Sequence, residues 1–131
     1  MAGGAVIVAG FGFRAAATEA SLAGALAQAM QGAGHAGPVA ALATARDKAD
    51  SAVFTTFAQE FGLPAHGIDA PDLARQETLT RAAPSLAARG IGSVAEAAAL
   101  AAAGPGARLL AARCVSGDGM ATCALAEGAR S

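Results

Sequence analysis

Two short, wholly apolar runs separated by a helical pattern dominate the first third of the chain. Ala5 to Ala9 and Pro38 to Thr44 have the length and composition of strands that are buried on both faces. Between them a helix is predicted from Thr18 to Gly32, where Leu22 and Leu26 recur at helical spacing. A strand-helix-strand unit of this kind forms a right-handed crossover between parallel strands. The chain is therefore predicted to adopt an α/β fold.

The rest of the chain adds two helices and three strands. Helices are predicted from Asp50 to Phe61 and from Ser93 to Ala103, with a polar, exposed loop that has helical turns from Asp72 to Leu86. The predicted strands are Ala65 to Asp69, Leu109 to Ala112 and Met120 to Ala126. The last two are close enough along the chain to form an antiparallel hairpin. Because no repeat or linker interrupts the pattern, residues 1–131 are expected to form one domain.

Composition and charge disfavour nucleic-acid and membrane partners. The chain is 54% hydrophobic with a net charge of -1, and it has no basic run and neither Trp nor Tyr, so a nucleic-acid surface is not expected. Residues 20–45 carry no charge, but Gly32, Gly34, Gly37 and Pro38 interrupt them too often for a membrane span. No basic residue precedes the first apolar run, as a signal peptide would require. A cytoplasmic protein is expected.

The two cysteines do not form a zinc or redox motif. Cys114 and Cys123 lie too far apart for a C-x-x-C pair, and they are too few for a zinc site. A turn near Ser116 to Gly119 would place Cys114 opposite Met120 and Cys123 opposite Ala111. A disulfide is therefore not favoured, and both are interpreted as small core residues.

The segment Gly10-Phe11-Gly12-Phe13-Arg14-Ala15 matches the pattern G-x-G-x-x-A at a predicted strand-to-helix corner. A dinucleotide site is disfavoured because the second strand ends in Thr44 instead of an acidic residue, and because Arg14 and two phenylalanines crowd the phosphate position. Two interpretations stay open. Gly10 and Gly12 let backbone amides approach an anion closely, or they only form a tight corner.

Two cations follow the predicted parallel strands. Arg14 and Lys48 come shortly after the first and second strands, and Thr44 ends the second. The carboxyl ends of parallel strands meet at one edge of a sheet, where α/β proteins bind ligands, so these residues predict a site for an anion. Arg113, at the end of a later strand, is a further candidate partner for a carboxylate. Ordinary surface charge is the alternative for Lys48 and for Arg113.

Catalytic and metal-binding motifs are weak. Ser93 and Glu96 fit a capping box at the start of a helix, and a helix start that faces the same crevice also attracts anions. Glu96 is the one weak candidate for a general base. His35 and His66 have no second ligand at suitable spacing, so no metal and no cofactor are expected.

Taken together, these segments resemble the CobE/CbiG C-terminal family of cobalamin biosynthesis. The matching motifs, in chain order, are Gly10-x-Gly12-x-Arg14, Ala41-Leu42-Ala43-Thr44 with Lys48-Ala49, Glu60-x-Gly62-Leu63-Pro64, Gly92-Ser93-Val94-Ala95-Glu96-Ala97-Ala98-Ala99-Leu100, and Arg113 beside the closing strands. The resemblance implies a three-layer α/β/α domain with a small mixed sheet, mostly parallel with an antiparallel C-terminal hairpin.

The resemblance also implies a role in building the corrin ring. Precorrins and corrinoids are broad apolar macrocycles edged with carboxylates, which Arg14, Lys48, Arg113 and the helix start at Ser93 would bind. Two functions follow. One is a carrier or auxiliary factor that binds the tetrapyrrole and works with other enzymes of the pathway. The other is a hydrolase that opens a precorrin-5A-type ring lactone and releases acetaldehyde. Phe11 and Phe13 either cover the ring face or pack in the core.

Overall fold

The computed structural model describes residues 6–33, 39–74, 94–104, 106–110 and 113–128. Six strands form one sheet in the order β3-β2-β1-β6-β4, and β5 also pairs with β6. The first three strands are parallel, while β6 is antiparallel to β1, β4 and β5. The strands are β1 (Val6–Phe13), β2 (Val39–Ala45), β3 (Ala65–Ile68), β4 (Arg108–Leu109), β5 (Cys114–Val115) and β6 (Ala121–Gly128). The predicted mixed sheet and parallel crossover are confirmed.

Helices cover both faces of this sheet. The helices are α1 (Glu19–Gly32), α2 (Arg46–Ala49), α3 (Ala52–Phe61), α4 (Ala70–Ala74) and α5 (Val94–Ala103). Helices α1 and α3 pack on one face, where their apolar side chains join one core cluster, and α5 packs on the other, together with Leu73 of α4. This arrangement confirms the predicted three layers. None of the described helices is long and apolar enough to cross a membrane.

Aromatic side chains fill the core between the sheet and helices α1 and α3. Phe11 is fully buried, and its ring meets the rings of Phe54 and Phe57 edge-on at centroid distances of 6.0 Å and 5.6 Å. Phe54 and Phe57 of α3 thus face the core, whereas Phe61 at the end of the helix is half exposed. The helix ends at Gly62, whose φ of 67° is the left-handed conformation that glycine adopts most easily.

The opposite face depends on small residues. Ala95, Ala98 and Ala99 of α5 are fully buried against the sheet. A Cβ atom on Gly10 would lie 2.1 Å from the Ala95 carbonyl oxygen and 2.5 Å from the Ala99 nitrogen. Strand β1 extends through Phe13 with Gly10 paired on both sides, so the predicted glycine corner is wrong at this position. The absence of a side chain at Gly10 allows α5 to pack closely on the sheet.

Two other predictions need correction. The helix predicted from Asp50 begins at Ala52, after the separate short helix α2. In the hairpin, Cys114 lies opposite Cys123 and not opposite Met120, because the Ser116 amide bonds to the Ala121 carbonyl and shifts the turn. Both cysteines are free thiols. Ala111, Ser93 and His35, and all but the start of the predicted Asp72–Leu86 loop, lie outside the described residues.

Candidate functional site

A cavity of about 520 Å³ opens at the edge of the sheet where the parallel strands β1 and β2 end. We call it the edge cavity. The end of β1, the turn from β2 into α2 and the first residue of α5 form three of its walls, and the β5–β6 hairpin forms the fourth. Its lining residues are Gly12, Phe13, Arg14, Thr44, Ala45, Lys48, Val94, Arg113, Val115, Gly119, Met120, Ala121 and Thr122. Neighbouring carboxyl ends of strands are the usual place for a ligand in an α/β sheet.

Three cations line the edge cavity from three separate segments. Arg14 follows β1 and is exposed, while Lys48 in α2 and Arg113 before β5 are partly buried. None of the described residues that line the cavity is acidic. Its lining charge is therefore positive, which favours an anionic ligand with more than one negative group.

The structure brings together five of the residues predicted from the sequence. Gly12, Arg14, Thr44, Lys48 and Arg113 all line the edge cavity. Gly10 and Glu96 do not, and Ser93 lies outside the described residues, next to Val94, which does line the cavity. The parallel pairing of β1 with β2 explains why Arg14, Thr44 and Lys48 meet.

Thr44 and Gly12 both take part in contacts that shape the wall of the edge cavity. The Thr44 hydroxyl is fully buried and donates a hydrogen bond of 2.8 Å to the Phe11 carbonyl, so it ties β2 to β1 at the cavity. Thr122 donates in the same way to the Gly12 carbonyl, at 3.2 Å. A Cβ on Gly12 would lie 3.0 Å from the Thr122 hydroxyl oxygen. The lack of a side chain at Gly12 therefore leaves room for the Thr122 hydroxyl in the cavity wall.

The two phenylalanines of the segment differ in exposure. Phe11 is fully buried in the core, which leaves it no surface for a ligand and supports the core alternative for this residue. Phe13 lines the edge cavity and stacks on Phe54 at a centroid distance of 5.9 Å. The Lys48 ammonium lies 5.4 Å from the centre of the Phe13 ring, at cation–π distance. The cavity thus offers an aromatic surface next to a cation.

Glu96 lies beneath the site and not in it. Its side chain is fully buried in the first turn of α5. Its Oε2 atom accepts a hydrogen bond of 2.7 Å from the backbone N–H of Arg113. The carboxylate therefore contacts the main chain of a cavity residue from the side that faces away from solvent.

Asp118 anchors the hairpin that forms the fourth wall, and sequence reasoning assigned it only to a turn. Its carboxylate accepts hydrogen bonds from the hydroxyls of Ser116 at 2.5 Å and Ser21 at 2.6 Å, and from the Met120 amide at 3.0 Å. These bonds, the one from Ser116 above all, lower the pKa of Asp118 from its usual 3.8 to about 2. The turn signal was visible in the sequence, but the contact with Ser21 of α1 was not.

This contact predicts an acid-dependent loss of stability. A carboxyl whose pKa is lower in the folded chain stabilises the fold above pH 3.8, and that contribution is lost as the pH falls towards 2. We expect Asp118→Asn to be less stable than the wild-type protein at pH 6, with the difference shrinking between pH 4 and pH 2. Urea unfolding of both proteins across this range measures it. A difference that stays constant with pH would contradict the assignment.

A second cavity, of about 540 Å³, has mixed charge. It lies beside β3 and is lined by Arg46, Asp50 and His66 among others. Arg46 is already paired with Asp69, at 3.0 Å, so its charge is balanced. No three His, Cys, Asp or Glu side chains of the described residues are grouped as a metal site would need. The edge cavity is therefore the better candidate for an anion.

Comparison with known proteins gives one consistent result. The model of the family "Cobalamin synthesis G C-terminus" matches residues 7–126. The crystal structure of CobE, a protein from the cobalamin (vitamin B12) biosynthetic pathway, is 31% identical with a TM-score of 0.82, over 94% of this chain and 90% of that one. The cobalamin biosynthesis protein ChiG from Agrobacterium tumefaciens str. C58 is 34% identical with a TM-score of 0.72, over 95% and 100%.

A more distant structure shares the fold. A putative cobalamin biosynthesis protein G homolog from Sulfolobus solfataricus is 16% identical, with a TM-score of 0.64 over 94% of this chain and 36% of that one. No curated protein matches the chain. Because the family model matches residues 7–126 and two structures of the family are more than 30% identical over nearly the whole chain, the chain belongs to the cobalamin synthesis G C-terminal family of cobalamin biosynthesis proteins.

Proposed function

We propose that this protein binds a carboxylate-rich precorrin or corrinoid intermediate in the edge cavity, and acts as a carrier or auxiliary factor of the pathway. The observation that carries the proposal is the meeting of Arg14, Lys48 and Arg113 around one cavity with no described acidic residue in its lining. A pathway whose intermediates carry several carboxylates supplies ligands of matching charge. Family membership places the protein in that pathway.

The walls of the cavity suit one edge of such a macrocycle. A tetrapyrrole with its acid side chains is broader than a cavity of about 520 Å³, so the cavity takes part of the ring and the rest lies outside. Arginine forms paired hydrogen bonds with a carboxylate and lysine offers a compact charge. Phe13, Val115 and Met120 supply apolar surface beside these cations for the ring itself.

The position of Glu96 favours a carrier over a hydrolase. Opening a lactone requires a general base or a nucleophile within reach of the bond. Glu96, the candidate base, is fully buried and bonded to the Arg113 amide. His66 lines the other cavity. Neither residue is therefore placed to act as a base on a ligand in the edge cavity, and hydrolysis is the alternative that the precorrin-5A experiment below tests.

A matched pair of corrinoids tests binding. Cobyrinic acid carries free carboxylates, whereas cobinamide has the same ring with these groups as amides. We expect cobyrinic acid to bind at least about tenfold more tightly, because amides leave the cations unpaired. The absorbance of the corrin during titration at low salt measures both affinities. Equal affinity for the two ligands, or no binding of either, would refute the proposed site.

A second experiment separates carrier from hydrolase. The protein is incubated without oxygen with lactone-bearing precorrin-5A, and the mass of the bound pigment is measured. An unchanged mass is expected for a carrier. Loss of the two-carbon fragment as acetaldehyde would make the protein a hydrolase.

A further inference from the structure

A fully buried glutamate next to a binding site requires a physical reason. Glutamate is rarely buried completely unless its charge has partners, because removing a carboxylate from water is costly. Glu96 is 0% exposed. It lies in the first turn of α5, where the helix dipole favours a negative charge, and it accepts a hydrogen bond of 2.7 Å from Arg113. The hydrogen bond from the Arg113 N–H is therefore one of the contacts that compensate for the burial of Glu96.

We infer that Glu96 is a positioning residue, which fixes Arg113 in the wall of the edge cavity by holding its main-chain N–H. The inference rests on the proposed function, because it concerns the same site. It gives Glu96 a role that differs from that of a general base: the carboxylate acts through Arg113 and does not touch the ligand.

The arrangement of α5 makes it a rigid support for this contact. Val94, its first residue, lines the edge cavity, and Ala95 and Ala99 pack against Gly10 in the centre of the sheet. Arg113 precedes the two-residue strand β5, which gives its backbone little support from sheet pairing. The hydrogen bond from the Arg113 N–H to Glu96 joins this weakly supported segment to α5, in which six of ten residues are buried.

The distance of 2.7 Å between the Arg113 nitrogen and Glu96 Oε2 is typical of a hydrogen bond to a carboxylate. A hydrogen bond to an ionised acceptor is stronger than one between neutral groups, so it restricts the Arg113 backbone more firmly. A guanidinium whose backbone is already fixed loses less freedom when it binds a carboxylate, and this raises affinity. Glu96 thus improves binding without contributing to the lining.

A double-mutant cycle on cobyrinic acid affinity tests the inference. We expect Arg113→Ala and Glu96→Ala each to weaken binding about tenfold. If Glu96 acts through Arg113, the double variant binds no more weakly than Arg113→Ala alone. Glu96→Gln keeps an oxygen that accepts the same N–H and is expected to stay within about threefold of wild type. Additive losses in the cycle would overturn the inference.

Two further measurements cover the other outcomes. If Glu96→Ala does not fold, hydrogen exchange of the Arg113 amide in the wild-type protein still tests the contact, because a fast-exchanging amide would show that no such bond exists. Acetaldehyde release by wild type that is lost in Glu96→Gln, with binding retained, would make Glu96 a base and also overturn the inference. If wild type binds no cobyrinic acid, the proposed function fails, and amide exchange alone then decides on the contact.

Discussion

Gly10→Ala is expected to lower the free energy of unfolding by about 3 kcal/mol, at the upper end of what overpacking costs. The added Cβ would lie 2.1 Å from the Ala95 carbonyl oxygen, 2.5 Å from the Ala99 nitrogen and 2.9 Å from the Ala99 Cβ. Two of these three atoms belong to the backbone of α5, so no side-chain rotation relieves the clash. The helix must move away from the sheet, and the buried alanine contacts on this face are weakened.

Gly24→Ala is the matched control for this substitution. Gly24 lies inside α1, and a Cβ there would meet only the Ser116 Cβ, at an ordinary 3.8 Å. Alanine is favoured over glycine in a helix by up to about 1 kcal/mol, so this variant is expected to be as stable as wild type or more stable. Urea unfolding of the three proteins compares them. Similar stability of Gly10→Ala and wild type would contradict the close packing of α5.

The alternation of apolar runs and helical periods predicted the parallel part of the fold because each signal is local. Thr18 is the N-cap of α1 and forms a capping box with Ser21, and Gly62 ends α3 in the left-handed conformation. Gly10 shows the limit of this reasoning. The local sequence, an apolar run followed by glycine, is the same whether that glycine ends the strand or lets a helix pack closely on it. The difference is decided by α5, which is distant along the chain.

Part of the candidate site could likewise be predicted from local sequence, and part could not. Arg14, Thr44 and Lys48 follow or end the two predicted parallel strands, so their meeting could be expected from the sequence. The contacts that shape the rest of the cavity are distant in sequence. Glu96 holds the Arg113 amide, and Asp118 bonds to a serine hydroxyl 97 residues away. No local pattern encodes such pairs, since either acid is equally consistent with an ordinary cap or turn.

Removing two of the cations is expected to weaken ligand binding most. Arg14→Ala and Lys48→Ala should each lower the affinity for cobyrinic acid about tenfold, which corresponds to about 1.4 kcal/mol for each lost charged contact. The two residues come from different segments, so the double variant should bind about a hundredfold more weakly if their effects add. Titration at low salt measures these losses. Raising the salt concentration should weaken wild type more than the double variant, because fewer charges remain to be screened.

The control removes the same positive charge elsewhere. Arg46 and Arg108 do not line the edge cavity, are largely exposed, and are paired with Asp69 at 3.0 Å and Glu127 at 2.8 Å. Replacing both by alanine lowers the net charge equally but should leave the affinity within about twofold, because neither side chain lines the cavity and exposed ion pairs of this kind contribute little. If this control lost as much affinity as Arg14→Ala with Lys48→Ala, binding would depend on overall charge and not on the edge cavity. Loss in the cavity variant alone would tie recognition to the ends of β1 and β2.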